Sequence, residues 1–217
     1  MMVHNLSLKS SLINQFIAEI RDVNIQKDSL RFRKNMERIG EIFAYEISKT
    51  LDYETTSTQT PLGIAESKRL ILQPVIATIL RAGLPLHNGL LNYFDQAQNA
   101  FISAFRKHNK HDSFEISIEY VASPNLNDKV LIFCDPMVAT GSSMILTYNE
   151  LIKKGRPKHT HFVCAIASEV GINYLKNNMP NSNYTIWCGA IDAELNSQSY
   201  ILPGLGDAGD LAFGNKL

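Results

Sequence analysis

Cysteine, tryptophan and net charge are the scarce quantities in this chain. It has three thiols, one indole, and 21 basic side chains balanced by 21 acidic ones over 217 residues. Each scarcity excludes something. The cysteines form an odd trio, each inside an apolar run: Cys134 in VLIFCD, Cys164 in HFVCAIA and Cys188 in YTIWCGA. That rules out a complete disulfide framework, and their spacing matches no metal-ligand pattern. Such thiols are expected to be buried and reduced, in a cytoplasmic protein. A formal charge of zero provides no overall field for nucleic acid or a membrane surface, so neither is expected as a partner. No apolar stretch nears the roughly 20 residues that cross a bilayer. The opening MMVHNLSLKS carries no signal-like apolar core, and no repeat or low-complexity tract is visible. What remains, 45% hydrophobic and 19% charged, is an ordinary globular composition, and the length suits one domain over 1–217.

The signals that are present are periodic. From Ser29 to Lys49, the residues Phe32, Met36, Ile39, Phe43 and Ile47 recur at three or four positions, with Asp28 or Ser29 placed to cap the start. This predicts a long amphipathic helix. Leu8 to Ile20 is a weaker helical stretch, and the polar run DYETTSTQTPLG reads as a loop or short edge structure. Short apolar runs rich in β-branched residues follow at 74–80, 99–105, 114–121, 130–134, 161–167 and 184–190. Helical stretches at 84–94, 142–154 and 169–177 separate several of them. Strands buried on both faces, alternating with helices, predict an α/β fold with a mostly parallel sheet flanked by helices. Between 99–105 and 114–121 only the polar RKHNKHDS intervenes, so this pair reads as a hairpin arm projecting from the sheet. His108 and His111 in that connector read as solvated, and no metal-ligand set is assigned.

Near the C-terminus PGLGDAG (203–209) contains G-x-G-x-x-G, the spacing of a dinucleotide-binding turn. That motif works only between a strand and a helix within a βαβ unit. Eight residues follow Gly209, too few for a helix and a second strand together, so NAD is not expected as a ligand. The three glycines then make either a plain turn or a backbone held open for a ligand.

The segment 130–155, VLIFCDPMVATGSSMILTYNELIKKG, carries the most chemistry. A buried strand ends at Asp135, a small-residue loop follows, and a helix begins near Ser142. Ligands of open α/β sheets bind beyond the carboxyl ends of the strands, where Asp135 falls. Thr140, Gly141, Ser142 and Ser143 bring backbone N–H groups and hydroxyls to a helix N-terminus, a ready anion site. Such a carboxylate and cradle suit a phosphorylated sugar, while an ordinary capped strand–loop–helix stays open as the plain alternative. The Gly-Lys-Ser/Thr step of a Walker loop is absent.

DPMVATGSS (135–143) resembles the loop of the uracil phosphoribosyltransferases that binds 5-phosphoribosyl 1-diphosphate (PRPP). PGLGDAGD with the following Phe213-Gly214 is similar to that family's C-terminal signature. ILRAGL (79–84) and LRFRKNMERIGEIFAYE (30–46) stand in the expected order, so the resemblance runs from about residue 28 to 215. It implies the type I phosphoribosyltransferase fold with a C-terminal hood that carries the base, and the reaction of uracil with PRPP to UMP and pyrophosphate. It also implies Mg²⁺ entering with PRPP, a homodimer or larger homo-oligomer, and GTP as an effector. By position, Arg81 and Arg106 correspond to the arginines that contact PRPP. Asp135, Pro136, Met137, Val138, Ala139, Thr140, Gly141, Ser142 and Ser143 correspond to the PRPP loop. Ile201, Gly206, Asp207 and Ala208 correspond to the uracil-binding segment, with Asp207 also on the PRPP side; Arg81, Arg106, Asp135 and Asp207 are the expected catalytic set.

Uracil presents acceptor, donor, acceptor along O2, N3–H and O4, and a glycine-rich backbone can answer with donor, acceptor, donor. Cytosine reverses two of those groups and would leave buried polar atoms unpaired. Four departures from the family pattern stand out. Val138 replaces leucine, Ser142 replaces a second glycine, Pro85 follows the arginine motif where glycine is common, and the connector 106–115 lacks an acidic run. Ser142 would strain the loop if its position requires φ > 0, while its hydroxyl adds a phosphate donor. Two rival readings use the same fold: an RNA-binding regulator of pyrimidine genes, opposed by the zero net charge, and an inactive paralogue, suggested by Ser142 and the connector.

Overall fold

In a computed structural model of the chain, residues 2–108, 114–179 and 183–215 are described, with side chains excluded over 105–117. The chain opens with the short strand β1 (Met2–Asn5), then α1 (Leu12–Arg21) and the long α2 (Ser29–Ser48). Helix α2 follows directly from its sequence. The Asp28 carboxylate accepts from the N–H groups of Leu30 and Arg31, both at 3.0 Å, which satisfies two donors that no helix can satisfy itself. The stripe Phe32, Met36, Ile39, Phe43 and Ile47 is at most 1% exposed. Truncating one of its phenylalanines to alanine would cost about 3–5 kcal/mol.

Two strands, β2 (Tyr53–Thr60) and β3 (Gly63–Leu70), pair antiparallel as a separate two-stranded sheet. The run expected to be a loop or edge structure is therefore the first half of a hairpin. Its Thr60 Oγ1 accepts from Gly63 N–H at 3.1 Å across the Pro61-Leu62 turn. Of the hairpin's apolar residues only Leu70, at the end of β3, packs against the core, so the strands lack the alternating apolar pattern that would announce them.

The main sheet follows. Strand β4 (Val75–Leu80) leads through α3 (Leu84–Tyr93) to β5 (Gln98–His108), which turns into β6 (Phe114–Ala122). Next come β7 (Val130–Cys134), the two-residue β8 (Met137–Val138), α4 (Ser142–Leu151), β9 (His159–Ser168), α5 (Glu169–Asn178) and β10 (Tyr184–Asp192). The chain ends with the pair β11 (Glu194–Leu195) and β12 (Ile201–Leu202) and the short α6 (Ala208–Phe213). Spatial order is β1-β10-β9-β7-β4-β5-β6, with β8 beside β9. Within this sheet β5 and β6 are antiparallel and the other pairings parallel. Strand β5 pairs with β4 only as far as Ser103; beyond it the hairpin pairs with itself, so it does project from the sheet.

Alternation along β7 explains why both faces are covered. Ile132 and Cys134 point into a core shared with α1, α2, α3 and α6, whereas Leu131 and Phe133 point into one shared with α4 and α5. Helices α2 and α3 meet backbone to backbone, since a Cβ on Gly40 would stand 3.0 Å from the Gly89 Cα. From β4 the chain departs toward β5, and from β7 it departs toward β9. The two neighbouring strands thus form the switch point of the sheet, where an open α/β fold leaves a crevice at the strands' carboxyl ends.

Candidate functional site

Arg81 and Asp135 are the first residues beyond β4 and β7, so they face each other across that crevice. It is a cleft of about 760 Å³. Asp135 forms its floor. Its backbone N–H donates to the Val163 carbonyl at 3.0 Å, but its carboxylate has no side-chain hydrogen bond among the described residues. Burial without a compensating cation pushes that carboxyl up from 3.8 to about 8.

Pro136 to Thr140 then line the cleft and lead into α4. The turn needs a left-handed residue, and Gly141 supplies it at φ 81° as the cap of the helix. A Cβ there would lie 2.8 Å from the Gly171 carbonyl, so glycine is required twice over. Ser142 is the first helical residue and has no positive φ, so the strain that a serine at this point would suffer does not arise. Its hydroxyl instead lies 2.8 Å from Thr140 Oγ1. The loop is fixed from behind: Ser168 Oγ donates to the Ala139 carbonyl at 2.5 Å and accepts from Gly171 N–H at 2.8 Å. The loop therefore brings Thr140, Ser143 and a helix N-terminus to the cleft, held from behind by Ser168.

The opposite wall comes from the C-terminal segment. Ile201, Asp207, Ala208 and Gly209 line the cleft. Asp207 caps α6, its Oδ1 accepting from Asp210 N–H at 3.0 Å. Arg81 reaches across to this segment, donating from Nη1 to the Gly214 carbonyl at 3.3 Å and from Nη2 to Asp210 Oδ1 at 3.4 Å. Both contacts are long and solvent-exposed, so they are weak and leave the guanidinium free to take a stronger acceptor.

The cleft thus gathers Arg81, Asp135, Pro136, Met137, Val138, Ala139, Thr140, Gly141, Ser143, Ile201, Asp207 and Ala208 from three separated segments. Ser142 and Gly206 stand off its wall. Gly206 holds φ 93° with open space where a side chain would project. The Arg106 side chain lies outside the described residues, as does His111. Sequence reasoning missed Ser103 and Ala104 on β5, Met144, and the loop Gln198-Ser199-Tyr200, all of which line the cleft. Of these only Ser199, at φ 64°, does anything unusual, and a serine leaves no signal of that in a sequence.

A family model described as uracil phosphoribosyltransferase matches residues 7–215. A uracil phosphoribosyltransferase of Porphyromonas gingivalis is 55% identical over 217 residues, covering both chains in full. One of Thermococcus gammatolerans is 41% identical over 214 residues, covering 96% of this chain and 92% of its own. Among solved structures, the AQ2163 protein of Aquifex aeolicus superposes with a TM-score of 0.85 at 28% identity, again over the whole of both chains.

Proposed function

The chain belongs to the uracil phosphoribosyltransferase family, and from that membership and the cleft we infer that it is the enzyme converting uracil and PRPP to UMP and pyrophosphate. The observation that carries this reading is convergence. The buried carboxyl of Asp135, a loop of hydroxyls and N–H groups at a helix N-terminus, and a glycine-rich turn, distant in sequence, line one cleft at the sheet's switch point.

The loop Thr140–Ser143 is suited to the 5-phosphate, through hydroxyls and the α4 N-terminus. Asp135 is suited to the ribose hydroxyls, and Arg81 to the pyrophosphate; Arg106 is assigned the same role from its position in the sequence. The turn from Ile201 to Ala208 is suited to uracil, with Gly206 keeping its backbone open. In the reaction, N1 of uracil forms a bond to C1′ as the bond from C1′ to pyrophosphate oxygen breaks. The electron pair leaves on pyrophosphate, and the N1 proton passes to the leaving group or solvent. The transition state carries oxocarbenium character at C1′ and growing negative charge on the leaving oxygen. Arg81 and Arg106 would stabilise the second, and holding both substrates in one cleft would supply much of the rate.

Mg²⁺ fits this donor set. Asp135 and Asp207 are the acidic side chains on the wall among the described residues, and no described cluster of His, Cys, Asp or Glu could cage a metal alone. Mg²⁺ binds through one or two carboxylates together with substrate phosphates and water. Asp135 and Asp207 would hold it with PRPP, where it supplies charge neutralisation on the pyrophosphate. A cytoplasmic setting is supported by three buried free cysteines. Self-association is supported by the exposed β2–β3 hairpin, whose Leu62 is 100% exposed. A GTP effector follows from the resemblance, and initial rates measured against GTP test it. Incubation of the protein with uracil, PRPP and Mg²⁺ tests the reaction itself: UMP and pyrophosphate are expected in equal amounts, and neither appears if the reading is wrong.

A further inference from the structure

Both peptide groups of Gly204 are held by an ion pair that the reaction does not use. Arg21 ends α1 and Asp192 ends β10. Arg21 Nη1 donates to Asp192 Oδ2 and Nη2 to Oδ1, each at 2.8 Å. Asp192 Oδ2 also accepts from the Gly204 N–H at 3.0 Å, and Arg21 Nη1 also donates to the Gly204 carbonyl at 3.0 Å. Asp192 is 8% exposed. Gly204 has φ 56°, and a Cβ there would lie 3.0 Å from the Ile201 carbonyl carbon. A chain folded back so tightly has no neighbouring strand to take its N–H and C=O, and the ion pair replaces one.

We propose that Arg21 and Asp192 are positioning residues for base recognition, setting where the 201–208 backbone stands over the cleft. Gly204 lies between Ile201 and Ala208, both of which line the cleft, so its anchorage fixes both ends of the turn. The phosphate side of the cleft is braced by different hydrogen bonds, those of Ser168 with Ala139 and Gly171, even though Ser168 stands beside Asp192 in the β9–β10 register. Loss of the ion pair should therefore be felt by one substrate and not the other. The bidentate fork matters as well as the charge, because one guanidinium nitrogen serves both Asp192 and Gly204. The inference rests on the reading that this turn binds uracil.

The test compares steady-state constants of the wild type, Asp192→Asn, Arg21→Lys and Arg21→Ala. Asparagine keeps an acceptor but turns an amide toward the guanidinium, and lysine keeps the charge but loses the fork. Displacing the turn by about an ångström should raise KM for uracil about 10- to 100-fold, with KM for PRPP within about threefold of wild type. Arg21→Lys should lie between wild type and Arg21→Ala. Circular dichroism and melting identify folded variants, and if Asp192→Asn fails to fold, Arg21→Lys carries the comparison. An unchanged uracil KM in folded variants overturns the proposal, as does an equal rise in both constants. A wild type that forms no UMP overturns the functional reading and this inference with it, a result distinct from an active wild type whose variants show no split.

Discussion

Replacing Asp135 with asparagine separates what the residue does for the ligand from what it costs the fold. Burial holds its carboxyl near 8 instead of the ordinary 3.8. Between those values the folded chain keeps a proton that the unfolded chain has released, so its contribution to stability falls as pH rises across the interval. At about 1.4 kcal/mol per pKa unit, the distance from 3.8 to pH 7 sets a ceiling of about 4 kcal/mol. The carboxylate opens onto a wet cleft, where solvent takes up much of that penalty, so about 1–2 kcal/mol is expected to register. Asparagine keeps the shape and removes the charge. The melting temperature of Asp135→Asn minus that of wild type should be near zero at pH 4 and reach about 2–8 °C by pH 8, at roughly 2–4 °C per kcal/mol for this size. PRPP affinity, measured above pH 8 where the carboxyl is ionised, should move the other way, weakening about 10- to 100-fold because a charge-assisted acceptor for ribose hydroxyls is lost. Melting across pH 4–9 and calorimetric titration of PRPP read both effects. A pH-independent difference in melting, or a variant less stable than wild type at pH 8, refutes the burial argument. Unchanged PRPP affinity refutes the ligand role.

Two further substitutions probe the two walls of the cleft. Gly141→Ala places a Cβ at φ 81° and 2.8 Å from the Gly171 carbonyl; a loss of about 1–3 kcal/mol in urea denaturation is expected, with weaker PRPP binding. An unchanged midpoint would show that the loop does not need its left-handed residue. Ala208→Val thickens the opposite wall at a position 2% exposed, so KM for uracil should rise at least about tenfold while KM for PRPP holds, at an overpacking cost of about 1–3 kcal/mol. Undiminished use of uracil would place the base elsewhere.

How much of this was legible in the sequence depends on where each signal originates. Strands such as β7 were readable because burial on both faces writes a continuous apolar run, and α2 because one buried stripe repeats at helical spacing. The hairpin β2–β3 was not, because Thr55, Thr56 and Thr58 stand on a strand, YETTSTQT, that has no aliphatic residues and so writes no apolar alternation. The loop at 135–143 was visible as a strand end followed by small residues, but the close packing of Gly171 and Tyr174 on α5 against Gly141 comes from 30 residues away or more. Arg21 and Asp192 lie 171 residues apart, and nothing local to either marks the pairing. For the same reason Arg81's reach to Asp210 and Gly214 appears only once the fold closes. Local chemistry picked out the segments that line the cleft; long-range packing decided how each is held.

The central claim is that this cleft transfers a phosphoribosyl group to uracil and reads the base through backbone. Its most direct test offers the protein PRPP and Mg²⁺ with uracil, cytosine or hypoxanthine in separate reactions and measures nucleoside monophosphate formed. The account predicts UMP from uracil, with cytosine used less well by about 10⁴-fold or more because its reversed edge leaves buried polar groups unpaired. Comparable use of cytosine or hypoxanthine, or no UMP from uracil, would contradict it.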